Sequence, residues 1–163
     1  MTIKTKESLR NLIIYALQND LDTANNAANT AKETATSKET VAENKYDTFG
    51  LEASYLAHGQ SIRVNELAEA IDRYTNLPFK QFDEHDNIDV TALVTLETEK
   101  DNNKYFFLGP VAGGLKLHWE GNDIMVITPS TPLGRQLLGK QLDDTIELHI
   151  KNNHIIYEII AID

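Results

Sequence analysis

Ile14-Tyr15-Ala16-Leu17-Gln18-Asn19-Asp20-Leu21-Asp22-Thr23-Ala24-Asn25-Asn26-Ala27-Ala28-Asn29-Thr30-Ala31-Lys32-Glu33-Thr34-Ala35 decides how the first half of the chain folds. Its apolar residues Ile14, Leu17, Leu21, Ala24, Ala28, Ala31 and Ala35 are separated by alternating steps of three and four, which keeps them on one face of a helix and makes a coiled-coil seam. Ala53, Ala57, Val64, Leu67, Ile71 and Tyr74 continue the same heptad phase, with polar Gln60 in the remaining place. Two long helices are predicted. Between them Thr36-Ser37-Lys38-Glu39-Thr40 breaks the period, and both Thr36 to Glu39 and Thr40 to Glu43 have the S/T-x-x-E form that caps a helix start. A turn so short, near 36–42, requires antiparallel helices and a hairpin about 48 Å long at the usual helical rise. Four successive seam positions toward the turn are alanine, so the distal half is expected to be a thin finger. Alanine is also simply a good helix former, and a plain spacer would read the same way.

Past Leu77-Pro78 the composition changes. All four prolines and six of the eight glycines lie downstream. The runs Val90 to Glu97, Tyr105 to Leu108, Ile124 to Ile127, Thr145 to Ile150 and Ile155 to Ile160 are short, β-branched or aromatic, and separated by turn residues, so they predict five strands. Asp101-Asn102-Asn103 and Asn152-Asn153 favour tight hairpins between neighbours. Pro132 stands where a short helix would start and Gly139 where it would stop. The fold class is therefore α+β: an N-terminal antiparallel α-helical coiled-coil hairpin over 1–77 with its tip near 36–48, a linker over 78–89, and over 90–163 an antiparallel β domain with one short helix.

Composition narrows the function. The chain has 163 residues, 41% of them hydrophobic, enough for a real core. It has no cysteine, which removes disulfides, thiolate nucleophiles and Cys-type zinc sites. No apolar run reaches the ~20 residues that span a bilayer, and the N-terminus lacks a secretory signal, so a soluble cytoplasmic protein without membrane contact is expected. With 25 acidic residues against 15 basic ones, a formal charge of −10, the chain offers no stripe of cations for a phosphate backbone. Direct sequence-specific DNA binding is not expected, and work near nucleic acid would need another protein to hold the chain there.

The string Thr128-Pro129-Ser130-Thr131-Pro132-Leu133-Gly134-Arg135-Gln136-Leu137-Leu138-Gly139-Lys140, followed by Asp143-Asp144-Thr145-Ile146-Glu147, together with the hairpin and the Glu43-Asn44 pair at its tip, resembles the Gre family of bacterial transcript-cleavage elongation factors. The resemblance spans nearly the whole chain. Glu43-Asn44-Lys45-Tyr46-Asp47-Thr48, Leu51 to Leu56 and Gly109-Pro110-Val111-Ala112-Gly113-Gly114 look like a smaller Gre-like branch. It implies an FKBP-like C-terminal sheet that docks on RNA polymerase through the turn holding Ser130, Pro132 and Leu133. It also implies a coiled coil that enters the secondary channel, where tip carboxylates help hold a Mg²⁺ supplied by the polymerase near the transcript. The protein would then be no enzyme itself and would carry no cofactor of its own. Glu43 matches the family's tip glutamate and is the candidate Mg²⁺ ligand in the complex. The family's second tip acid falls on Thr40, which has no carboxylate. Glu39, Glu43 and Asp47, four residues apart, would share one helical face and are the candidate tip acids acting in trans. The same acids would also suit a helix N-terminus with no further role.

Three functional readings follow: stimulation of transcript cleavage, occupancy of the channel without cleavage, and a general coiled-coil interaction module. Other constellations are weaker. His118, His149 and His154 lie in or beside predicted strands, and the alternation of strand faces argues against their converging on a metal. Tyr105, Phe106, Phe107 and Trp119 suit a strand core better than the pocket of an FKBP-type prolyl isomerase.

Overall fold

The computed structural model describes residues 3–36, 48–98, 103–150 and 153–163. Its elements run α1 (Ile3–Thr36), α2 (Phe49–Thr75), β1 (Leu93–Thr98), β2 (Asn103–Leu108), β3 (Lys116–Trp119), β4 (Asn122–Ile127), α3 (Pro132–Leu137), β5 (Thr145–Ile150) and β6 (Asn153–Ile162). They form two compact units, Ile13–Thr75 and the combination of Met1–Leu12 with Asn76–Asp163.

In the helical unit the heptad pattern becomes burial. Leu17, Ala24 and Ala31 on α1, and Ala53, Leu67 and Tyr74 on α2, are buried and spaced by sevens or their multiple. The second seam row, Ile14, Leu21, Ala28 and Ala35 with Ala57, Val64 and Ile71, is half-buried, as is Gln60 in its seam place. The end of α1 (Ala27, Thr30, Ala31, Thr34) and the start of α2 (Phe49, Glu52, Ala53, Leu56) line one common cleft of about 500 Å³, as an antiparallel hairpin requires. Alanine and threonine are too small to fill it, so the distal seam is partly open where the sequence suggests close approach. Thr48 starts α2: its carbonyl accepts from Glu52 N at 2.8 Å and its hydroxyl donates to the Glu52 carboxylate at 3.0 Å.

The other unit is built on a six-stranded sheet, β3-β4-β2-β1-β6-β5. Four of its five strand pairs are antiparallel, but β2 and β4 run parallel, with Tyr105 opposite Ile124 and Leu108 opposite Ile127. The sheet is thus mixed, where the sequence suggests purely antiparallel pairing. The cause is a sixth strand, β3, absent from the expectation. The chain leaves β2, skips one strand's width, returns as β3 at the edge and folds back as β4 into the gap, so β4 must run with β2. Each Cβ on β3 alternates faces, leaving Leu117 and Trp119 buried and Lys116 and His118 exposed.

Both faces of the central strands are covered, which is why β1 reads as a nearly continuous apolar run. On one face Val94, Leu96, Leu108, Ile127, Tyr157, Ile159 and Ile162 pack with Leu137 of α3, and with Phe82 and Ile88. The last two belong to residues 78–89, a stretch without helix or strand that nonetheless enters the core. Ile88 N donates to Lys140 O at 2.7 Å, and Gly139 N to Ile88 O at 2.8 Å. On the other face Phe107 is fully buried and meets Phe79 edge-on at 6.5 Å. The first turns of α1 belong to this cover: Arg10 lies 5.4 Å from the Phe79 ring, and Trp119 Nε1 donates to Ser8 Oγ at 3.2 Å.

Lys6 is the unusual member of that packing. Its side chain is buried, its Nζ donates to Lys80 O at 2.8 Å and Thr91 O at 3.3 Å, and it stands 4.5 Å from the Phe82 ring centroid. Burial disfavours the ammonium and lowers its pKa to about 8, although the Asp163 charge opposes the shift. Thr91 has φ of 82°, strain that a non-glycine residue keeps only when its neighbours fix it. Three bonds do so: its N–H donates to Leu108 O, its hydroxyl oxygen accepts from Lys80 N, and its carbonyl accepts from Lys6.

Candidate functional site

The turn between β4 and α3 is built by local chemistry. Thr131 caps α3 by accepting from Gly134 N at 3.1 Å, while its hydroxyl donates to Thr128 O at 2.7 Å and its own N–H donates to the same carbonyl at 2.9 Å. Pro132 fills the first helical position, where no N–H is needed. Gly134 is required for a steric reason: a Cβ there would collide with the Thr128 carbonyl. Thr128 Oγ1 and Ser130 Oγ share a hydrogen bond of 2.8 Å, and Arg135 reaches back to donate to Ser130 O at 3.0 Å. The turn is therefore fixed before anything binds it.

The three docking candidates take different positions on it. Ser130 and Pro132 are exposed, whereas Leu133 is half-buried and packs against the core. Ser130 and Pro132 can touch a partner; Leu133 holds the turn to the sheet and shows a partner only its margin. Leu138, 44% exposed at the end of α3, extends the apolar surface. The loop at 109–114 joins this site. Gly113 lies so close that an added Cβ would meet Thr128 Cγ2 at 3.3 Å and Thr131 Cγ2 at 3.4 Å, and Gly114 N donates to Val126 O at 2.8 Å. In the sequence that loop enters only through its resemblance to a Gre-like branch, with nothing to connect it to the turn. Its glycines are the only hint of a close approach, and they do not say to what.

The tip candidates Glu39, Glu43 and Asp47, with Thr40, lie outside the described residues. Next to them in the chain, the start of α2 carries large apolar side chains in the open: Phe49, Leu51, Tyr55 and Leu56 are each more than half exposed. The aromatic residues divide as well. Phe107 and Trp119 are core, while Tyr105 and Phe106 line an open hollow of about 450 Å³ with Lys104, Lys116 and His118.

The histidine expectation needs correction. His118 pairs with Asp123 at 2.8 Å, but His149 and His154 face each other across β5 and β6, and Glu147 joins them. Alternation separates neighbours along one strand; it brings register partners on two strands together on one face.

The GreA/GreB transcription elongation factor C-terminal family matches residues 83–163, the stretch holding both the turn and the sheet. No curated protein sequence matches the chain. Among solved structures, similar ones are GreA factor homolog 1 (Gfh1) of Thermus thermophilus, 18% identical over 92% of this chain and 94% of that one with a TM-score of 0.38, and Gfh1 of Thermus aquaticus, 16% identical over 91% and 92% with a TM-score of 0.38. A transcription elongation factor GreA/GreB from Nitrosomonas europaea is 13% identical over 69% of this chain and 91% of that one, with a TM-score of 0.34. No helix among the described residues is long and apolar enough to cross a membrane. Through its C-terminal half, residues 83–163, the chain belongs to the Gre-type family of transcription elongation factors.

Proposed function

We propose that this chain regulates RNA polymerase by docking through its C-terminal unit and placing the tip of its helical hairpin in the secondary channel. The observation that carries this reading is the GreA/GreB match over 83–163, on a chain whose other half is two helices of 34 and 27 residues. The rigid turn with exposed Ser130 and Pro132 is a suitable docking surface, and the exposed Phe49, Leu51, Tyr55 and Leu56 are apolar side chains that an enclosing partner would bury. The chain would contribute no catalytic residue. Glu43, with Glu39 or Asp47, would offer carboxylate oxygens, the ligands that a hard cation such as the polymerase's Mg²⁺ prefers, and contact with the transcript would be indirect.

A second reading, channel occupancy without cleavage, is favoured by Thr40, whose hydroxyl cannot supply the charge of the carboxylate the family places there. The third, a coiled-coil module serving another client, is separated from both by a binding test. Purified RNA polymerase should retain the chain, and Pro132→Glu should weaken retention at least tenfold. Failure of the wild type to bind at low ionic strength would sink the proposal. On stalled elongation complexes, cleavage lost in Glu43→Ala selects the first reading; binding with no cleavage by either protein selects the second.

A further inference from the structure

We propose that Glu147, His149 and His154 form a binding site for one borderline transition-metal ion, zinc foremost, on the exposed face of the β5–β6 hairpin. The hairpin register sets His149 directly opposite His154, with Glu147 two residues earlier on the same face. The two imidazoles stack at 4.6 Å between centroids with 13° between planes, and His154 Nε2 lies 3.0 Å from Glu147 Oε2. One ligand atom from each of the three falls within 4.8 Å of the others. The His149 side chain makes no hydrogen bond among the described residues; strand register and the ring stack hold it beside the Glu147–His154 pair, which leaves its ring nitrogens available as ligands.

The donor set selects the ion. Two imidazole nitrogens and one carboxylate are the three protein ligands of many four-coordinate zinc sites, leaving one position for water, whereas Mg²⁺ and Ca²⁺ favour all-oxygen shells. Tetrahedral zinc with bonds of ~2.0–2.1 Å needs ligand atoms roughly 3.3 Å apart. All three side chains are exposed, so rotation about their side-chain torsions can close the remaining distance. The surrounding charge is favourable. The other described residues of that face in register are Thr145, Ile156 and Glu158, which add an acid and no cation, on a chain of net charge −10.

The backbone under Glu147 is also fixed. Gln136 of α3 donates its amide to Glu147 O at 2.6 Å and accepts from Glu147 N at 3.2 Å, so one end of the ligand set is positioned from outside the hairpin. A bound ion would tie strand β5 to β6 and stabilise the end of the hairpin by mass action. The site owes nothing to the polymerase reading and stands or falls separately from it.

The test is calorimetric titration of untagged, chelator-stripped full-length protein with zinc chloride. We expect one equivalent to bind with Kd roughly in the micromolar range, no heat from magnesium chloride, and at least a tenfold loss of affinity in both His149→Ala and His154→Ala. His118→Ala, on the other hairpin, should bind as the wild type does. Imidazole NMR signals of the wild type supply a readout independent of any variant: zinc should shift His149 and His154 and leave His118 in place. Absence of saturable binding, affinity unchanged in both alanine variants, or shifts confined to other histidines would overturn the proposal.

Discussion

The two compact units solve the burial problem differently. The hairpin buries one row of seam residues, several of them alanine, half-buries the next row and leaves a cleft at its distal end. The sheet unit covers both faces of its central strands, with Val94, Leu96, Phe107, Leu108 and Ile159 at no exposure at all. Since stabilisation follows apolar area removed from water, at about 25 cal/mol per Å², large side chains such as Leu96 and Phe107 contribute more by burial than the alanines of the seam. Within each unit the side chains set the result: alanine at the seam buries little area, whereas large apolar residues on both faces of a strand bury much more.

The largest effect should come from the sheet. Leu96→Ala removes a fully buried side chain from the central strand and should cost about 2–5 kcal/mol, read as a lower midpoint in urea unfolding followed through Trp119 fluorescence. A loss below 1 kcal/mol would erase the contrast between the units. Lys6 gives an intermediate effect with a pH signature. Between pH 8 and its ordinary value of 10.5 the unfolded lysine keeps a proton that the folded one has released. Stability should therefore rise with pH through that window, whereas below about pH 8 both forms are charged and the cost of burying the cation is fully present. Burial pushes the Tyr74 phenol well above its ordinary value of 10, so its contribution is lost as pH rises past 10 and opposes the gain there. The clean interval is pH 8 to 10, and the rise there should be on the order of 2 kcal/mol. Lys6→Met should lose about 1–2 kcal/mol at pH 7, from its two carbonyl partners, and flatten this rise. Urea midpoints measured across pH 7–10 for both proteins check it. The smallest effect belongs to the seam. Ala31→Gly should cost about 1 kcal/mol, nearly all helix propensity, seen as a drop in helical circular dichroism at lower temperature while Trp119 fluorescence is unmoved.

How much of this was legible in the sequence depended on the range of the interaction. Heptad spacing predicts both long helices, and Pro132 with Gly139 predicts α3, because the signals are local. Strand β3 was readable in principle from the alternation of Lys116, Leu117, His118 and Trp119, but four residues with two polar ones are a weak run. Parallel pairing of β2 and β4 was not readable, since it follows from where the edge hairpin folds back. Between Phe82 and Ile88 stand only Asp83, Glu84, His85, Asp86 and Asn87, with no apolar residue to mark a helical or strand period, so residues 78–89 read as a linker although both side chains enter the core. In the candidate site, Ser130 and Pro132 could be identified from their motif, whereas the half-burial of Leu133 and the approach of Gly113 depend on tertiary packing. The pairing of His149 with His154 follows from a register that the strands themselves do not encode.

The Gln136 amide also bears on the open edge of the sheet. Strand β5 ends the sheet, and a bare terminal strand invites another chain to extend the ladder. Here one carboxamide occupies both the N–H and the C=O of Glu147, imitating one rung of a seventh strand and stopping there. An incoming strand would find that rung already taken, so one glutamine blunts the edge at Glu147.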